Sequence, residues 1–354
     1  MAEEKFAFES DEVSIAFTIT GGLGDCIMVK KVFDALIEIE PHCVIDIFCE
    51  QEQHQAYAKA FYGDSLNLNL ILSRNESYKD VYNKYDLAVV TLGNHCISFE
   101  NVNAQRLQAM SPALFESVVR IHEYNQKNVY GQHVAFRDML RARILKKSCF
   151  YFLSCGGALP IRDDKISISL SPDYQSKFDA LKLDKYITFY SDISNDPKST
   201  PKNKSWPVRY LYEYVARMKK RFPAVEIVQC GGGYDVKVEN ADRHFLDCDL
   251  ELTKYILANS LLHVGCEGGL VHLATALGTK CLVLFGANGV DYVGYDRNIN
   301  LVSDVCFPCM YTLPDWTACL RGLAEPSCML SHTPQLVCEV TCNYLNHCDL
   351  KNNA

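Results

Sequence analysis

Apolar residues along this chain recur at two spacings, and the switch between them marks out the elements. Residues 13–20 form a continuous β-branched run that predicts a strand, and a glycine turn follows it. Beyond the turn, Val29, Val32, Phe33 and Leu36 fall at i, i+3, i+4 and i+7, one face of an amphipathic helix. Short apolar runs over 43–49 and 86–91 predict two further strands. From about Gln105 to Lys147 the pattern is mostly helical and rich in Tyr, His and Arg, with no strand signal. That region either lines a substrate cleft or forms peripheral helices. The stretch 161–185 is polar, contains Pro172 and reads as a linker.

The alternation then restarts. Strands are predicted over 186–190, 225–229, 261–265 and 280–285. Val208, Leu211, Tyr212 and Val215 repeat helical spacing, as do Leu270, Leu273, Ala274 and Leu277. Strands alternating with helices imply a parallel sheet covered on both faces, so the fold class is α/β, in two halves alike in architecture. A length of 354 residues, 48% of them hydrophobic, is enough for two cores.

A net charge of −8 disfavours nucleic acid or anionic lipid as a partner, while leaving room for a local basic patch at a phosphate site. The first residues are charged and no apolar run reaches the roughly 18 residues of a membrane span, so a cytoplasmic protein is expected, with at most peripheral membrane contact. In that compartment the 17 cysteines are not a disulfide framework. Cys43, Cys49 and Cys281 lie in β-branched runs and read as small buried hydrophobes.

Three segments carry candidate chemistry. Gly21-Gly22-Leu23-Gly24-Asp25 puts backbone N–H groups at a helix N-terminus, a setting that favours anions. Asp25 is open to two readings there, a helix N-cap or a general base. The full dinucleotide fingerprint is absent, which argues against a dehydrogenase. Ser199, Thr200 and Lys204 precede a helix whose first residue fits Pro207, and hydroxyls and an ammonium at that place suit a diphosphate; a solvated basic loop is the bland alternative, against which Trp206 argues as an anchor. Glu267-Gly268-Gly269 opens a helix, with His272 one turn in. The glycines allow a phosphate or ribose near the backbone and Glu267 is placed to take sugar hydroxyls, while a lone helical histidine such as His272 is more often structural than catalytic. In open α/β sheets ligands bind at the carboxyl ends of the strands, where these segments fall.

Taken together, the segments resemble glycosyltransferase family 9, the heptosyltransferase-like enzymes of the GT-B fold. The resemblance covers nearly the whole chain. It is strongest over 262–286, a strand, an acidic-Gly-Gly-x-x-His helix start and a strand ending in Phe285-Gly286. Lys204-Ser205-Trp206-Pro207 and the Gly24-Asp25 pair match two further family features. The resemblance implies two Rossmann-like domains facing across a cleft: an acceptor-side domain over 1–165, a nucleotide-sugar domain over 166–335, and a helix over 336–354 that packs back on the first domain. It implies inverting transfer of a sugar from a nucleotide-diphospho-sugar, by default heptose from ADP-heptose, to a hydroxyl of a glycan, lipopolysaccharide or protein, without a catalytic divalent metal. Asp25 would deprotonate the acceptor. Gly22, Gly24, Ser199, Thr200, Lys204, Gly231, Glu267, Gly268, Gly269 and His272 would bind the donor. Glu267 and Gly268 depart from the family's Asp followed by Ser or Thr, which leaves a non-catalytic sugar-nucleotide binder, or a GT-B-like sugar-nucleotide epimerase, as alternatives.

Cys306-Phe307-Pro308-Cys309 is a knuckle, with Cys319 and Cys328 downstream. Four thiolates suit a structural zinc or iron. The cluster resembles the four-cysteine finger of protein heptosyltransferases that modify autotransporters. Cys338 and Cys342, at i and i+4 of a predicted helix, are rival ligands.

Overall fold

The computed structural model describes residues 11–73, 78–93, 96–128, 134–191, 193 and 203–352. The chain forms two compact units, Met1–Ser169 and Leu170–Ala354.

In the first unit the strands are β1 (Ser14–Ile19), β2 (Val44–Cys49), β3 (Leu68–Ser73), β4 (Leu87–Leu92) and β5 (Cys96–Val102). The helices are α1 (Leu23–Met28), α2 (Lys30–Ile39), α3 (Gln53–Tyr62), α4 (Tyr78–Tyr82), α5 (Ala104–Met110), α6 (Pro112–Asn128), α7 (Val134–Leu145) and α8 (Cys149–Leu153). The sheet runs β3-β2-β1-β4-β5, parallel except for β5, which is antiparallel to β4. Every residue of β1 is buried, as a central strand covered on both faces requires. The stripe Val29–Leu36 spans a break: α1 ends at Met28, Val29 caps it and α2 resumes at Lys30.

The second unit contains β6 (Tyr186–Phe189), β7 (Glu226–Gly231), β8 (Arg243–Leu246), β9 (His263–Cys266), β10 (Cys281–Phe285) and β11 (Ile299–Val302). Its helices are α9 (Gln175–Asp179), α10 (Val208–Arg221), α11 (Leu250–Ala258), α12 (Gly269–Ala276), α13 (Val290–Val293), α14 (Ser327–Ser331) and α15 (Pro334–Asn352). The sheet is wholly parallel, in the order β11-β10-β9-β6-β7-β8. Strand order reverses between β6 and β9, so the topological switch point lies beside the carboxyl ends of those two strands.

Helix α15 lies along α10. Tyr214 Oη and Thr341 Oγ1 are 3.2 Å apart. Val337 and Leu345 share a core with Tyr214, Met218 and Trp206. Pro207 is the residue before α10 rather than its first helical position: its ψ of 136° is extended, and the helix begins at Val208. Cys43, Cys49 and Cys281 are buried at 2%, 2% and 0% exposure, in line with their reading as small hydrophobes. Burial holds each thiol up at about 12, and so inert. The cysteines from Cys26 to Cys342 are free thiols.

Candidate functional site

In the second unit the Lys204, Glu267 and Phe285-Gly286 segments meet at the carboxyl ends of β6, β9 and β10. Lys204 Nζ donates to the Glu267 carbonyl oxygen at 3.5 Å. Ala287 N–H donates to the Asn203 carbonyl at 3.1 Å, which brings the loop before α10 onto the end of β10. Gly286 is required by that approach, since a Cβ there would lie 2.5 Å from the Asn203 carbonyl oxygen. Trp206 is 2% exposed, and its indole N–H donates to the His332 carbonyl at 2.7 Å. The loop is therefore anchored, as Trp206 suggested. Ser199 and Thr200 lie outside the described residues.

Glu267 closes β9, and Gly268 is the N-cap of α12 in extended backbone. The carboxylate is 6% exposed and held at both oxygens. His272 Nε2 is 3.1 Å from Oε1, and Asn288 Nδ2 donates to Oε2. Burial pushes this carboxyl up, but the Lys204 charge and the His272 and Asn288 hydrogen bonds outweigh it and bring it down to about 2. An ionised Glu267 needs a proton on His272 Nε2. The other ring nitrogen, Nδ1, is 2.8 Å from Tyr295 Oη. In the neutral imidazole Tyr295 then donates and Nδ1 accepts. His272 thus belongs to a buried Glu-His-Tyr chain one turn into the helix. Nothing in the local pattern of the sequence singled out Asn288 or Tyr295; both come from the segment after β10 and meet Glu267 and His272 only through the fold.

Gly231 ends β7, next to β6. A Cβ there would lie 2.3 Å from Asp235 Oδ2, and that same oxygen accepts the Gly232 N–H at 2.6 Å. Burial raises Asp235 to about 6 against the lowering effect of that bond. The sequence reading did not name Asp235.

In the first unit the Gly21–Asp25 turn joins β1 to α1. Gly22 is the N-cap of α1, which makes Asp25 the third helical residue and corrects its placing as the cap itself. Its carboxylate does serve the cap: Oδ2 accepts the Gly22 N–H at 2.8 Å. Gly21 has φ +87°, and a Cβ on it would sit 2.6 Å from Asp25 Oδ2, so only glycine fits. Gly24 lies in the first turn of α1. His54, from α3, reaches the Gly21 carbonyl.

Cys306, Cys309 and Cys319 stand within electrostatic reach of Cys328. Burial lifts Cys328 to about 12, and Cys306, Cys309 and Cys319 add to the lift. Burial also raises Cys309, with Cys319 and Cys306 contributing. Among the described residues, however, no group of three or more His, Cys, Asp or Glu side chains is gathered tightly enough to hold a metal ion. Cys338 and Cys342 have their sulfurs 3.8 Å apart on α15. No helix of the described residues is long and apolar enough to cross a membrane.

Two α/β units on parallel sheets, with motifs at the carboxyl ends of their strands, define the GT-B fold, and the solved structures that resemble the chain carry it. They include heptosyltransferases and a member of glycosyltransferase family 9, the family the motifs resembled. The ADP-heptose lipopolysaccharide heptosyltransferase II of E. coli is 15% identical, with a TM-score of 0.62 over 97% of this chain and 100% of its own. The iron-containing dodecameric glycosyltransferase TibC of enterotoxigenic E. coli is 12% identical, with a TM-score of 0.63 over 95% of this chain and 77% of its own. The family 9 glycosyltransferase of Veillonella parvula is 16% identical, with a TM-score of 0.53 over 84% and 87%. At these identities the likeness is one of fold. No protein-family profile and no curated protein matches the sequence.

Proposed function

We propose that the protein is an inverting glycosyltransferase that moves a sugar, by default heptose, from a nucleotide-diphospho-sugar, by default ADP-heptose, to a hydroxyl of a glycan, lipopolysaccharide or protein. The observation that carries this reading is the meeting of Lys204 with the Glu267 backbone at the switch point of the second sheet, where a polyanionic ligand is expected. The fold shared with heptosyltransferases supports it. In this reading Asp25 takes the proton of the acceptor hydroxyl, and the acceptor oxygen attacks the anomeric carbon from the face opposite the leaving group. The bond from that carbon to the diphosphate oxygen breaks. The Lys204 ammonium and the Gly268-Gly269 amides offset the charge gained by the departing nucleoside diphosphate, with Ser199 and Thr200 as further donors. Gly22 and Gly24 present backbone to the ligand at the start of α1, Gly231 approaches the nucleoside, and Glu267 with His272 orders the sugar side of the site.

The test is Asp25→Asn. We expect donor affinity within about threefold of wild type by calorimetry and a loss of transfer of at least about a hundredfold, the range of a general base. Transfer at the wild-type rate would remove Asp25 from the chemistry. A second reading, donor binding without turnover, is favoured by one observation: both Glu267 oxygens are already engaged inside the protein, and Gly268 offers no hydroxyl. Product analysis after incubation of donor with and without acceptors separates this binder, and an epimerase, from a transferase.

Cys306, Cys309, Cys319 and Cys328 are free thiols, a C-x2-C pair followed by two further cysteines, and four thiolates are a donor set that suits zinc or iron. We propose a structural zinc or iron there, without a part in the chemistry. Elemental analysis is expected to give about one equivalent, and less than about 0.2 equivalents refutes the site, because a four-thiolate centre binds tightly.

A further inference from the structure

We propose that His54 is a positioning residue for Asp25, acting through the Gly21–Gly22 peptide. His54 is buried at 0% exposure and lies far from the glycine turn in sequence. Its Nδ1 accepts the backbone N–H of Gln51 at 3.2 Å, which places the ring proton on Nε2. Nε2 lies 2.8 Å from the Gly21 carbonyl oxygen and donates to it. That carbonyl belongs to the same peptide unit as the Gly22 N–H, which donates to Asp25 Oδ2 at 2.8 Å. One peptide plane is therefore held at both ends, by the imidazole on its oxygen and by the carboxylate on its nitrogen.

The hydrogen bonds all point one way, from the Gln51 amide through the imidazole and the peptide to the carboxylate. Donation to a peptide oxygen polarises the unit and strengthens its N–H as a donor, so His54 reinforces the bond that fixes Asp25 Oδ2. The peptide needs this hold. Gly21 sits at φ +87°, and two glycines in succession leave the turn without side chains of its own to set the plane. Freed from His54, the peptide can rotate and carry the carboxylate with it. An acid or base displaced by about 1 Å loses on the order of a hundredfold in rate. The proposal rests on the reading of Asp25 as the base, but the hold on the carboxylate can be measured without any turnover.

The experiment compares His54→Phe, which keeps a ring and loses both nitrogens, with His54→Gln, whose amide can still donate to Gly21. The Gly22 amide proton, shifted downfield by its carboxylate acceptor, is expected to move upfield in His54→Phe and to return towards the wild-type position in His54→Gln. In the transfer assay His54→Phe is expected to lose at least about tenfold in kcat with donor KM within about twofold, and His54→Gln to recover most of the loss. If His54→Phe does not fold, His54→Asn, too short to reach Gly21, replaces it. An unmoved Gly22 amide in a folded variant overturns the proposal. So does equal loss in His54→Gln and His54→Phe. If Asp25→Asn transfers sugar at the wild-type rate while the Gly22 amide moves in His54→Phe, the base assignment falls and the positioning of the carboxylate stands.

Discussion

Neutralising Glu267 probes the donor-side site most sharply. The side chain is buried at 6% exposure, yet the balance of burial against Lys204, His272 and Asn288 brings its ionisation from 4.5 down to about 2. A difference of this size corresponds to roughly 3 kcal/mol of preference for the charged form. Because the folded value is the lower one, that stability is fully present above pH 4.5 and is lost as pH falls towards 2. Glu267→Gln removes the charge and leaves the Lys204 ammonium without its nearby anion. It also supplies an N–H donor where His272 Nε2–H already donates. His272 escapes that clash by moving its proton to Nδ1, since Tyr295 Oη accepts as readily as it donates. We therefore expect Glu267→Gln to fold, to be destabilised by about 3 kcal/mol at pH 7, and to show its His272 proton on the opposite nitrogen by imidazole nitrogen NMR. For a unit of this size the melting temperature falls by about 6–12 °C. The gap from wild type, followed by calorimetry, should shrink to about half by pH 3. A variant as stable as wild type at pH 7, or a gap independent of pH from 7 to 3, refutes the electrostatic account of the site.

Gly21→Ala forces a side chain into a left-handed backbone and against Asp25 Oδ2, so we expect a loss of about 1–3 kcal/mol in denaturant unfolding and of most transfer activity; wild-type stability would show that the turn is not constrained. His263 in β9 is fully buried with its Nε2 unpartnered, and burial holds its ionisation down at about 3 against an ordinary 6.5. Stability from the neutral ring is complete above pH 6.5 and is lost as pH falls towards 3, so between pH 6 and 4.5 wild type should lose up to about 1.4 kcal/mol per pH unit more than His263→Phe. Parallel stability curves for the two proteins over that interval would sink this prediction.

The strands legible in the sequence and those that were not divide along a physical line. The seven predicted strands are β1, β2, β4, β6, β7, β9 and β10, and all lie in sheet interiors. The four missed ones, β3, β5, β8 and β11, are the edges of the two sheets. An interior strand is covered on both faces and reads as an unbroken apolar run. An edge strand such as β3, with no fully buried residue, or β8, likewise half-exposed throughout, carries no such run. The same holds for the break between α1 and α2, where one apolar stripe continues across a change in the chain's path.

By itself the sequence determined two α/β units and the short segments that follow their central strands, because buried parallel strands and glycine-bearing β–α turns are encoded by neighbours in the chain; the GT-B expectation came from the resemblance of those segments to a family. What braces the Gly21–Asp25 turn and what Glu267 touches were decided only by the tertiary structure. His54 reaches Gly21 from another helix, and Asn288 and Tyr295 reach Glu267 and His272 from beyond β10. Hydrogen bonds between side chains distant in sequence leave no period or spacing to read, and they form only when packing brings the elements that carry them to the same end of a sheet.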